Sequence, residues 1–106
     1  MHEINPKPSA EVAENAKRGL ALRKQYNCGG TEVGAARAGQ LRDRKPQSPK
    51  DVDRMISYFA RHAVDKNAPE FGDGADPSAG YVAWLLLGGD AAQQWANDQK
   101  DKRNGV

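Results

Sequence analysis

This sequence has little of what small proteins use to brace a fold or perform chemistry. Among its 106 residues there is one cysteine, Cys28, so no internal disulfide can form. That cysteine and two histidines are too few converging ligands for a structural zinc site, and no other cofactor motif takes its place. GGTEVG contains glycines but is followed by neither GKS nor GKT, lacks the GxGxxG spacing and follows no strand pattern. Gly29 and Gly30 therefore read as a helix exit, not a phosphate cradle. Long apolar runs are missing too. The longest, Gly80 to Leu87, falls far short of the roughly 20 residues that a spanning helix requires. MHEINPKPS lacks the charged-then-apolar pattern of a cleaved signal. These absences predict a soluble chain that is not exported by a cleaved signal, with no membrane partner and no cofactor.

What is present is polar and interrupted. Hydrophobic residues make up 38% and charged residues 28% of the chain, with 11 glycines, 6 prolines and a mean hydropathy of −0.85. Such a composition predicts short elements, and the length fits one domain. The net charge of +2 conceals an asymmetry, because residues 1–50 carry +5 and residues 51–106 carry −3. The basic half could face an anionic partner or the acidic half of another copy, or be ordinary solvated surface.

Local signals outline four to five helices. Residues 1–8, with two prolines, predict an extended arm. Ser9 can cap a helix to about Gln25, in which Val12, Ala13, Ala16, Gly19, Leu20, Leu22 and Tyr26 share half the circumference. Arg23 projects from that apolar half, so it either snorkels to the rim or meets a buried carboxylate. Asn27 to Gly30 supply the left-handed conformations of a helix exit. Thr31 caps TEVGAARAGQLRDRK, where Val33, Ala36 or Arg37, and Leu41 share a face and Gly34 and Gly39 weaken the helix. Ser48, Pro49 and Asp51 form a capping box, and Val52, Met55, Ile56, Phe59 and Ala63 follow as one stripe. Asp53, Arg54, Ser57 and Arg61 cover the other side.

After a turn-rich connector, KNAPEFGDGAD, the stretch from Tyr81 to Leu87 is apolar around its whole circumference. It is predicted to be the central helix, capped by Asp76 or Ser78 with Pro77 at its start. Gly88 and Gly89 end it, and Asp90 caps a last helix with Ala92, Trp95 and Ala96 on a narrow stripe. The expected fold is all-α, a small single-domain bundle of four to five short helices over residues 9–98. Its expected core is Val12, Leu20, Val52, Met55, Ile56, Phe59, Val82, Trp84, Leu85, Leu86 and Trp95. Residues 99–106 are expected to form a charged tail that frays.

Three constellations bear on chemistry. His62 and Asp65 are spaced to meet on one helix, which for a half-buried histidine is ordinary structural pairing. Asp73 and Asp76 in GDGAD offer oxygen ligands without the twelve-residue calcium-loop pattern. Lys17, Arg18, Lys24, Arg37, Arg42, Arg44 and Lys45 could line one basic surface for phosphate contact. Asp43 interrupts them, and no aromatic residues alternate with them as single-strand binders require. None of these constitutes an active site, so the chain is expected not to be an enzyme.

The strings RGLALRKQYNCGGTEVGAARAGQLRDR, SPKDVDRMISYFARHAVDK and PSAGYVAWLLLGGDAAQQWA resemble a small helical domain that recurs in proteins of tailed bacteriophages. That domain occurs alone or joined to larger phage polypeptides, some of them related to heads or packaging. The resemblance covers roughly residues 9–97. It departs from the usual pattern at Leu87, where an aromatic residue is common, and at Ala92 and Gln93, where small or basic residues are common. It implies a viral origin and no catalytic residue. The function expected is therefore a non-catalytic, virion-associated or assembly module binding other phage proteins, located in the virion or the host cytoplasm. A nucleic-acid-binding accessory protein using residues 17–45 is the alternative. An effector binding a host protein is a further one, and self-association remains compatible with each.

Overall fold

A computed structural model describes residues 6–67, 71–72 and 78–105, and among these every regular element is helical. α1 spans Ala10–Tyr26, α2 Glu32–Arg42, α3 Pro49–His62, α4 Ala79–Leu86 and α5 Gly89–Arg103, with a 3-10 helix at Ala63–Asn67 between α3 and the connector.

Short polar side chains start four of the five α-helices. Ser9 accepts from the Val12 N–H and Thr31 from Gly34. Ser48 and Asp51 satisfy each other's backbone N–H groups at 3.1 Å, completing the capping box that the sequence predicts. Ser78 accepts from Tyr81 at 3.0 Å and is thus a cap of α4, whereas Asp76 and Pro77 lie outside the described residues. α5 is the exception. It opens from Gly88, at φ 102°, without a side-chain cap, and Asp90 is engaged elsewhere.

α4 is the hub, packing against α1, α2, α3 and α5. Val82, Trp84, Leu85 and Leu86 are buried, together with Val12, Val52, Met55 and Phe59 from the surrounding helices. Leu20, Ile56 and Trp95 pack against this core from its edge and are only half-buried. α1 and α4 approach each other at Gly19, where a β-carbon would lie 2.7 Å from the Leu86 backbone nitrogen. A side chain there would hold the helices apart.

Several expectations change with the structure. The inward face of α2 is Ala38 and Leu41, while Val33 is 76% exposed. Ala63 leaves the α3 stripe and is exposed, because the chain tightens there into the 3-10 helix and its side chains advance by about 120° per residue instead of 100°. The tail does not fray at residue 99. α5 continues to Arg103, whose guanidinium donates to the Pro49 carbonyl at 3.1 Å and to Asp53 at 2.7 Å. The described end of the N-terminal arm is seated on the fold: Pro8 is buried, and the Pro6 carbonyl accepts from the Gln47 N–H.

Candidate partner-binding groove

The sequence-predicted basic residues do not form one free surface. Lys17, Arg18 and Lys24 are exposed on α1. Arg37 turns inward, donating to Asp51 at 2.9 Å and to the buried Gln47 at 3.4 Å, with its side chain only 16% exposed. Arg42 pairs with its neighbour Asp43. Arg44 donates to the Pro8 carbonyl at 2.8 Å, which ties it to the start of α1, roughly 22 Å along that helix from Lys24. Lys45 is exposed, but its carbonyl accepts from the Gln47 side chain. Arg37, Arg44 and Gln47 thus link the N-terminal arm, α2 and α3.

That linkage is pH-sensitive. Burial disfavours the Asp51 carboxylate, but hydrogen bonds from Arg37 and from the Ser48 backbone and hydroxyl outweigh it and hold its pKa below the ordinary carboxylate value. With the folded value depressed, this stabilisation is complete above the unfolded pKa and is lost as pH falls through the folded one. Arg37→Ala is expected to cost about 1–3 kcal/mol near neutral pH. The variant should also lose less further stability than the parent between about pH 5 and pH 2, measured by urea unfolding. Parallel acid limbs would remove Asp51 from the account.

Arg23 resolves as a rim residue. It donates to the Gly29 carbonyl at 3.1 Å and to Glu32 at 3.3 Å, and Glu32 is itself 93% exposed, so the pair straps the α1–α2 turn without burying a carboxylate. His62 meets Asp65 at 3.2 Å and stacks on Tyr58 with centroids 4.5 Å apart. Burial first, and the Asp65 charge second, push the Tyr58 phenol up to about 12 against the opposing effect of Arg61, so it remains neutral. No group of three or more metal-ligating side chains occurs among the described residues, and Asp73 and Asp76 lie outside them. Cys28 is half-buried in the α1–α2 turn.

A concavity lies elsewhere, between the start of α2, the outer face of α3 and the end of α4, with a volume of about 780 Å³. Ala83, Leu86 and Leu87 form its floor, and Val33 stands at one edge. Along α3 it is bordered by Lys50, Arg54 and Arg61. These three cations have no ion-pair partner among the described residues, since the nearby carboxylates are already engaged: Asp51 by Arg37 and Asp53 by Arg103. The groove is therefore apolar at its base and basic at its rim.

Sequence reading places Arg54 and Arg61 on the outer side of α3 but does not single them out, with Lys50, as a site. Their spacing of i, i+4 and i+11 on one helix was the available signal, and it is the spacing of an ordinary solvated face as well. No helix among the described residues is long and apolar enough to cross a membrane. No protein-family model matches the chain, and neither curated proteins nor solved structures give a match.

Proposed function

We propose that this chain is a non-catalytic module of a tailed bacteriophage, virion-associated or acting in assembly, that works through protein–protein contacts at the groove between α2, α3 and α4. The observation that carries this reading is the groove itself, an aliphatic floor bordered by three cations without ion-pair partners among the described residues. Exposed concavities of this kind mark binding sites on small proteins. The viral setting is supported by the resemblance of residues 9–97 to the phage domain.

A photo-crosslinking residue at Ser57, which lines the groove, tests the reading. Placed there during infection, it is expected to capture a phage structural protein, and mass spectrometry should find the chain in purified virions or assembly intermediates. Absence from both, with no crosslink, would overturn it.

A nucleic-acid-binding function is favoured by a separate observation, the exposed Lys17, Arg18 and Lys24 on α1, which have no ion-pair partner among the described residues. Its test is the triple alanine variant at these positions, because Arg37 and Arg44 serve the fold. Loss of DNA or RNA affinity with a salt slope shallower by up to about 3 would support that reading; an unchanged slope would remove it.

A further inference from the structure

We propose that the groove accepts an acidic amphipathic helix, about three turns long, from a partner protein. The proposal rests on the reading of the chain as a protein-contact module and specifies the chemistry of the contact. Lys50, Arg54 and Arg61 occupy one side of α3, and at a rise of about 1.5 Å per residue they extend over roughly 16 Å, the length of three helical turns. A helix laid parallel to α3 could set carboxylates against all three. Its apolar stripe would then cover Ala83 and Leu87, which are half-buried above the fully buried Leu86, with Val33 closing the edge. The described residues present no strand edge onto which an extended peptide could add, so a helix in a groove is the recognition mode that the surface supports.

Charge complementarity sets the sign. The two carboxylates nearest the rim are held by Arg37 at 2.9 Å and by Arg103 at 2.7 Å, leaving Lys50, Arg54 and Arg61 to attract an anionic partner. Nucleic acid fits the rim but not the base. Its bases would need aromatic faces on which to stack, and the one aromatic residue among those lining the groove, Tyr58, is already stacked on His62 and edge-on to Phe59.

The test uses the intact chain and three labelled helical peptides of roughly 14 residues. One carries a leucine stripe flanked by glutamates, a second has lysines in place of the glutamates, and a third has serines in place of the leucines. A single-stranded oligonucleotide is the fourth probe. Expected are binding of the first peptide alone, with amide shifts confined to Val33, Ala83, Leu86 and Leu87 and the facing side of α3. The double variant Arg54→Glu/Arg61→Glu, which removes exposed groups without packing roles, should weaken that binding by at least about tenfold and admit the lysine peptide. Val33→Asp, at a position equally free of the core, should weaken it as well.

No binding of the glutamate peptide at about 1 mM, or equal binding of both charge types, overturns the proposal. So does an oligonucleotide that competes for the groove and is lost in the same double variant. If the peptides are silent while Ser57 still crosslinks to a phage protein, the helical acidic partner falls and the protein-contact module stands. If both experiments are negative, both readings fall.

Discussion

Trp84→Ala is expected to destabilise the chain by about 3–5 kcal/mol, a large part of the roughly 5–15 kcal/mol that holds a small domain together. Trp84 is only 2% exposed, at the centre of α4. Its ring meets Phe59 edge-on with centroids 4.8 Å apart, and Phe71 and Tyr58 lie at 6.0 and 6.3 Å. Truncation would leave a cavity bounded by three different segments, and such a cavity cannot collapse without moving all of them. The indole N–H donates to Asp90 at 2.8 Å, and Lys66 both pairs with that carboxylate and lies over the ring. These polar contacts are at the solvent edge, where they contribute little beyond the packing. Trp84→Phe, which retains most of the ring contacts, should therefore cost much less than the alanine variant. Urea unfolding of the two variants separates the terms. An alanine variant within about 1 kcal/mol of the parent would contradict a core centred on α4.

Gly19 is expected to reverse the ordinary helix-propensity rule. In a helix interior, replacing glycine with alanine normally gains about 0.5–1 kcal/mol. At Gly19 the new β-carbon would stand 2.7 Å from the Leu86 nitrogen and 2.9 Å from the Leu85 carbonyl carbon. Both are backbone atoms of α4, so relief requires moving the helix. Gly19→Ala should cost about 1–3 kcal/mol despite its propensity gain, and Gly19→Val more than that. Gly39 supplies the internal control. Its nearest neighbour to a new β-carbon is the end of the Arg42 side chain at 3.8 Å, so Gly39→Ala should be neutral or stabilising by up to about 1 kcal/mol. Thermal melts showing the same sign for both substitutions would contradict the close α1–α4 approach.

The two glycines also mark how far sequence reading reaches. Ser9, Thr31, Ser48 with Asp51, and Ser78 could each be read as helix starts, and each caps its helix. The buried α3 residues Val52, Met55 and Phe59 follow from periodicity alone. The apolar run of α4 was legible as the core because a helix without a polar face has nowhere else to go. These features arise from interactions within about four residues, so the local pattern carries the information.

Partner choice over long sequence separations was decided by tertiary structure. Arg37 resembles the other basic residues in the chain, yet the fold brings its guanidinium within 2.9 Å of Asp51 and 3.4 Å of Gln47. Arg103 belongs to a charged tail in sequence, but the α3–α5 packing brings it within 2.7 Å of Asp53 and extends the last helix. Those pairings consume the carboxylates that could have neutralised Lys50, Arg54 and Arg61, and so give the groove its charge. The chain by itself determined where four of the five α-helices begin, the apolar faces of α3 and α4 and that the fold is all-α. Only the folded arrangement decided which glycine is crowded, which cations are neutralised and where a basic rim borders an apolar floor, because each depends on atoms distant in sequence and adjacent in space.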